Sequence, residues 1–218
     1  MLREILDIYN SNWNQILVWS LLIIFPVTTI SFLFLIYFNW SEDVLIPEYL
    51  SGFAVFINFI ICIPPFMQMV IRTKHDEPIN ATEGLVFFVK QFGMLFIMTI
   101  ILYVIAIVGA SFLLIPTFIA LLFLLVFPFF SDSKSVKNVF LKTVHTIKRE
   151  NFALLGDLLI IFSVNIACWG ITMIFLSQFE NNVLSFIIIR NLLNICMFPF
   201  LYIYLTLRYR KEVYEYVH

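Results

Sequence analysis

An uncharged run from residue 112 to residue 130 constrains this chain more than any other feature of its sequence. A short basic segment follows it, and a second long apolar run opens at Phe152. A helix needs about 20 consecutive apolar residues to cross a hydrocarbon core about 30 Å thick. A helix of a water-soluble domain needs only one apolar face. The run therefore predicts a helix that spans a membrane.

The composition of the whole chain leads to the same class of protein. Hydrophobic residues make up 62% of it and charged residues only 12%, whereas soluble domains are about a quarter charged. A water-soluble fold of this size would have too little interior for so much apolar surface. The N-terminus has acidic residues where a signal peptide needs a basic region, so we expect the first apolar run to stay as a spanning helix. We expect an all-α polytopic membrane protein in which residues 1–218 form a single domain.

Six apolar runs are long enough to be spans. Pro26 lies inside the first and Pro64-Pro65 inside the second, and each should bend or break its helix. The predicted spans are about 13–37, 50–71, 92–109, 112–130, 152–176 and 183–207.

The basic residues lie almost entirely on one side of these spans. Of the 13 Lys and Arg residues, only Arg190 falls within a predicted span, and the others fall before the first span or after the second, fourth and sixth. Cytoplasmic loops of membrane proteins carry the excess of Lys and Arg. The pattern therefore predicts a multi-pass protein of the cell membrane with both termini in the cytoplasm.

A Pro-Phe pair recurs at the end of each even-numbered span, at Pro65-Phe66, Pro128-Phe129 and Pro199-Phe200. Each odd-numbered span follows a polar, partly amphipathic lead-in. This repeat predicts three helical hairpins of the same orientation, related by a pseudo-axis along the membrane normal. The alternative is a chance recurrence in a chain with 26 Phe and 8 Pro.

Three segments between or before the spans are amphipathic and are expected on the cytoplasmic side. They are residues 2–12, 81–91 and 131–151, with apolar side chains at helical spacing. The third is the most basic, and an anionic inner leaflet of the bilayer is its expected partner, rather than nucleic acid. Its cations form a candidate contact surface: Lys134, Lys137, Lys142, Lys148 and Arg149.

Polar side chains inside the spans are the candidate functional residues, because such groups are costly at membrane depth. One interpretation is a lined polar cavity. The other is that Arg190 extends to the outer surface or meets Glu180, while the amides join helices. For Asp157, the start of its helix and nearby Lys148 and Arg149 are expected to favour the charged form. The candidate polar intramembrane site comprises Asp157, Asn165, Arg190, Asn191 and Asn194.

The sequence contains no pattern that indicates catalysis, a metal or a cofactor. The three His residues lie in separate segments, and no nucleophile–base pair, phosphate-binding loop or acidic cluster is evident. We therefore expect no enzymatic activity.

Parts of the chain resemble the YesL-like family of small bacterial membrane proteins. The similar stretches are residues 14–30, which end in Phe-Pro-Val-Thr-Thr-Ile, the aromatic and basic residues 87–92, the Phe-Pro-Phe-Phe of 127–130, and residues 139–142. The resemblance implies six helices and supplies no catalytic residues. Because some YesL-like proteins are associated with carbohydrate uptake, it also permits a role beside a transporter.

A second resemblance is to the membrane domain attached to some bacterial glycerophosphodiesterases. It rests on Leu114-Ile115-Pro116, although Thr117 stands where that domain usually has Gly. It supplies no catalytic residues either.

Two functions follow from the sequence. The first is a non-enzymatic accessory or partner subunit of a membrane complex, in contact with another membrane protein or a second copy of itself through residues 72–91 and 131–151. The alternative is a small permease or lipid-handling protein with a polar path near Asn165, Arg190 and Asn194.

Overall fold

The chain folds into helices joined by turns, without a strand, over the residues that the computed structural model describes, which are 1–40, 46–112, 114–133, 135–150, 153–179 and 182–210. The all-α prediction is therefore confirmed. The helices are α1 (Leu2–Ser11), α2 (Trp13–Trp40), α3 (Pro47–Lys74), α4 (Ala81–Gly109), α5 (Ile115–Phe130), α6 (Val136–Glu150), α7 (Ala153–Leu176) and α8 (Val183–Tyr209).

Five of these helices (α2, α3, α4, α7 and α8) are long and apolar enough to cross a membrane. The fourth predicted span is shorter than expected, because α5 begins at Ile115 and not near residue 112. Pro116 lies in its first turn, and Leu114 before it has a left-handed backbone with φ 62°. At 1.5 Å per residue, α5 is about 24 Å long, less than the core of a typical bilayer. The six-span arrangement is thus not confirmed in full.

Prolines deform α2 and α3, as predicted from the sequence. A π-helical turn, Ser20–Ile24, lies just before Pro26, and Phe25 N–H donates to the carbonyl of Ser20. In α3 the regular helix stops at Ile61 and resumes at Ile63, with Pro64 and Pro65 in the new first turn. Proline has no N–H to give to the preceding turn, so the helix deforms there.

One lead-in was predicted wrongly. Residues 81–91 and the third predicted span form one continuous helix, α4. Asn80 caps it by accepting a hydrogen bond from Thr82 N–H. The prolines that interrupt α2 and α3 have no counterpart in α4, so the polar and apolar parts share one axis.

Consecutive long helices pack side by side and in opposite directions. Asn39 bonds Ser51 and Thr28 bonds Asn58, which sets α2 against α3. The α4–α5 turn is tight, since a Cβ on Gly109 would lie 2.6 Å from Thr117 N.

Because neighbouring long helices run in opposite directions, the basic residues of α3 and α8 lie at one end of the molecule, here called the basic end. The C-terminal ends of α2, α4 and α7 lie at the other, here called the loop end.

Helix α8 lies at the centre of the bundle. It packs against α1, α2, α3 and α7 and buries residues along most of its length. Tyr202 is fully buried and its hydroxyl donates to the carbonyl of Phe59 at 2.7 Å, close to the break in α3. Two further rings, Trp19 and Phe66, complete this aromatic core. Helix α8 therefore positions the polar groups that the sequence singled out.

Candidate functional site

A cavity of about 310 Å³ lies between α3, α5, α7 and α8. None of its described lining residues belongs to α2 or α4. The lining is mainly aliphatic and aromatic, as in most ligand pockets. It includes Val55, Phe59, Leu121, Leu158, Ile161 and Leu201. Three polar side chains also line it: Asn165, Arg190 and Asn194.

Arg190 is the most unusual of these groups, because its side chain is long, charged and only 2% exposed. The guanidinium carbon lies 4.9 Å from the centre of the Phe32 ring and 5.0 Å from that of Trp169. Such contacts stabilise a cation against aromatic faces. Its Nη2 donates to Asn165 Oδ1 at 3.2 Å. Arg190 is thus held inside the bundle by two rings and one amide.

The other two guanidinium nitrogens of Arg190, Nε and Nη1, are buried and have no hydrogen-bond partner among the described residues. Among the residues that the structure describes, no carboxylate forms an ion pair with Arg190. Glu180, the partner considered from the sequence, lies outside the described residues. Arg190 is therefore buried within the bundle, and the lined-cavity interpretation stays a prediction.

The neighbouring amides bond across helices. Asn194 Nδ2 donates to Thr28 Oγ1 at 3.3 Å, and Thr28 donates to Asn58 Oδ1 at 3.0 Å. Asn191 Nδ2 donates to Thr29 Oγ1 at 3.0 Å. Asn194 therefore links α8 to α2 and, through Thr28, to α3, and it also borders the cavity, whereas Asn191 links α8 to α2 only.

Several residues that contact these polar side chains were not predicted from the sequence. Phe32 and Trp169 looked like ordinary apolar residues, and nothing in their spacing points to Arg190. The sequence could have indicated Thr28, Thr29 and Asn58 as further candidates, because they are polar residues inside apolar runs.

Asp157 does not belong to the cavity. It lies eight residues before Asn165 on α7, about 12 Å along the helix axis toward the basic end. Its carboxylate accepts hydrogen bonds from the hydroxyls of Tyr204 at 2.8 Å and Tyr209 at 3.1 Å. Arg208 Nε lies 2.9 Å from Asp157 Oδ2 as an ion pair. The structure thus places Arg208 beside Asp157, a pairing that was not predicted from the sequence.

The candidate basic surface is only partly available to a partner. Lys137, Lys142 and Lys148 are exposed on α6. Arg149 instead turns toward α8, where its Nη2 donates to the carbonyl of Tyr209 at 3.1 Å. Lys134 lies outside the described residues. The surface is therefore smaller than the sequence suggested.

The other proposed contact segment, residues 72–91, is similarly occupied by contacts within the chain. Arg72 pairs with Glu83, and Lys74 pairs with Glu4 of α1. These cations join α3 to α4 and α1, which leaves less free charge for a partner.

No group of three or more His, Cys, Asp or Glu side chains that could hold a metal ion occurs within the described part of the chain. No family model, curated protein or solved structure matches the chain. The resemblance to the YesL-like family therefore stays a prediction, and the functional argument rests on the geometry of the molecule.

Proposed function

We propose that this chain is a non-enzymatic integral membrane protein that holds a lipid-like guest in the cavity between α3, α5, α7 and α8. The observation that carries the proposal is the cavity of about 310 Å³, apolar along most of its wall and bordered by the buried Arg190. Ligand pockets combine such apolar walls with a few polar groups that orient the ligand. The proposal corresponds to the lipid-handling alternative from the sequence.

The proposal includes the full topology: six spans in the cell membrane, as three hairpins of one orientation, with both termini in the cytoplasm. Helix α5 would cross by local thinning of the bilayer, which costs only fractions of a kcal/mol per Å of mismatch. Single cysteines at Ile46 and Gln178 should react with an impermeant thiol reagent on intact cells. Cysteines at Asp76 and Ser133 should react only after permeabilisation. The reverse pattern would contradict this orientation.

The cavity itself is tested by filling it. Val55 lies in its wall, so Val55→Trp should exclude a guest. We expect native mass spectrometry of the purified wild-type protein to show a retained lipid-like molecule, and we expect Val55→Trp to lose it. Leu33→Trp is the matched control, because Leu33 is exposed on α2 and does not line the cavity. Equal retention by Val55→Trp, or no retained molecule in the wild type, would contradict the proposal.

The accessory-subunit hypothesis is the second candidate, favoured by the exposed lysines of α6. Lys137, Lys142 and Lys148 are available to a membrane partner, to a second copy of this chain or to anionic lipid at the inner leaflet. Purification in mild detergent should then yield a stoichiometric membrane partner. Replacing the three lysines with Gln should release it, whereas Val55→Trp should not.

A further inference from the structure

We infer that the guest is an anionic amphiphile whose carboxylate or phosphate is bound by Arg190. This inference rests on the proposed function, since it names the chemical class of the molecule in the same cavity. It is carried by three features of the described residues: the two guanidinium nitrogens of Arg190 without a hydrogen-bond partner, the separation of polar from apolar lining residues along the cavity, and the cavity volume.

The charge of Arg190 favours an anion beside it. Arginine keeps its proton under essentially all conditions in proteins, and an isolated buried charge costs several kcal/mol. Two aromatic rings and one neutral amide offset part of this cost, but Nε and Nη1 have no acceptor in the part of the chain that the structure describes. Carboxylates and phosphates match a guanidinium in charge and in hydrogen-bond geometry. An anionic group in the cavity would therefore supply what the protein lacks there.

The amide of Asn165 adds to the site. Its oxygen accepts the hydrogen bond from Arg190 Nη2, which directs the other end of the amide, an NH₂ donor, away from the guanidinium. Asn165 is only partly buried and lines the cavity, as Arg190 does. An anion at this position meets a cation and a neutral donor from two different helices.

The polar groups lie in the half of the cavity nearer the loop end. Asn165 on α7 is hydrogen-bonded to Arg190 on α8, and Asn194, which also lines the cavity, is one helical turn further along α8. From there the lining continues toward the basic end with Leu158 and Leu201. Arg190 and Leu201 are eleven residues apart, about 16 Å along the helix axis. An amphiphile fits this arrangement, with its charged group at Arg190 and its tail toward Leu201.

The volume limits the size of the guest. About 310 Å³ is near the lower end of the roughly 300–1,000 Å³ that is typical of ligand sites. The cavity therefore suits a single hydrocarbon chain better than a complete phospholipid with two chains. In the proposed topology Arg190 lies in the outer half of the membrane, so the guest would enter from the outer leaflet.

The test compares ligands that differ in one property at a time. The purified full-length protein in a nonionic detergent is titrated with palmitate, a single-chain lysophosphatidate, hexadecanol and inorganic phosphate, with binding measured by the shift in unfolding temperature. Palmitate and lysophosphatidate carry both charge and tail, hexadecanol lacks the charge, and phosphate lacks the tail. We expect at least one anionic amphiphile to bind about tenfold or more tightly than hexadecanol, since hydrogen bonds to charged groups contribute about 1.5–3 kcal/mol. Whichever of palmitate and lysophosphatidate binds more tightly identifies the charged group of the natural guest as a carboxylate or a phosphate.

Substitutions test whether Arg190 causes the preference for an anionic amphiphile over hexadecanol. Arg190→Gln should reduce the affinity for the anionic amphiphile to that for hexadecanol. Asn191→Ala is the matched control, because Asn191 is the next residue, is equally buried and does not line the cavity. Asn191→Ala should still bind the anionic amphiphile more tightly than hexadecanol. If Arg190→Gln does not fold, the comparison of ligands on the wild-type protein still decides whether charge matters.

The outcomes separate this inference from the proposed function. If hexadecanol binds as tightly as both anions and Val55→Trp abolishes binding, the cavity holds a guest and the anionic inference is wrong. If inorganic phosphate alone stabilises the protein as much as lysophosphatidate, the guest is a free anion and not an amphiphile. If none of the four binds and no lipid is retained on purification, both the inference and the proposed function are wrong.

Discussion

Two arginines on α8, Arg190 and Arg208, show opposite solutions to placing a cation in a membrane protein. Arg208 lies at the basic end, with Asp157 Oδ2 at 2.9 Å, Glu150 Oε2 at 3.8 Å and the Tyr204 hydroxyl at 2.8 Å. Arg190 lies deeper, with two aromatic rings, one amide and no carboxylate partner in the described part of the chain. The charge of Arg208 is neutralised by these acids, whereas that of Arg190 has no counter-ion among the described residues.

The difference distinguishes a structural group from a candidate binding group. A buried charge with acids and hydroxyls around it joins helices, and removing one partner leaves the others unsatisfied. A buried charge without a counter-ion is retained at a cost to stability, which indicates a use other than packing. The two arginines should therefore respond differently to substitution.

The largest effect is expected for Asp157→Ala. Asp157 is 1% exposed and accepts from Tyr204 and Tyr209 as well as pairing with Arg208. Its loss leaves two hydroxyls without their acceptor and removes the nearest carboxylate of Arg208, and we expect a destabilisation of about 3 kcal/mol. Thermal unfolding in detergent measures it. In a double-mutant cycle, Asp157→Ala with Arg208→Met should be less destabilising than the sum of the two single changes; additivity would show that the pair is not coupled.

A smaller effect is expected for Tyr209→Phe. The substitution removes the hydroxyl that donates to Asp157 Oδ2 at 3.1 Å and keeps the ring that packs on Phe129. Hydrogen bonds between membrane helices average about 0.6 kcal/mol, so we expect a loss of that order. Tyr49→Phe is the control, because the Tyr49 side chain is exposed on α3. A loss above about 2 kcal/mol would mean that the network around Asp157 is strongly cooperative.

The smallest effect on stability is expected for Arg190→Met in the absence of ligand. Methionine removes the cost of burying an unpaired charge and also removes the cation–π contacts with Phe32 and Trp169, which are worth about 0.5–2 kcal/mol. These two contributions to the free energy of unfolding have opposite signs, so we expect it to stay close to that of the wild type. Arg208→Met, measured in parallel, should be clearly destabilising. Equal losses in both variants would remove the distinction between the two arginines.

Most of the fold was predictable from the sequence, and the exceptions have local causes. Long apolar runs indicated the helices, and prolines indicated the deformations in α2 and α3. The start of α5 was misplaced because Leu114 adopts a left-handed backbone before Pro116. Residues 81–91 were separated from their span because a change from polar to apolar residues was interpreted as a break, although no proline interrupts that helix.

The sequence by itself determined which residues were costly in a membrane: Asn165, Arg190, Asn191, Asn194 and Asp157. Each is a polar group within an apolar helix, and its cost depends only on composition and depth. Which of them share a site was decided by tertiary structure alone. Packing brings Asn165 of α7 to Arg190 of α8 at the cavity, directs Asn191 toward α2, and sets Asp157 against Arg208. Those pairings depend on the rotation and register of separate helices, which only their packing in three dimensions determines.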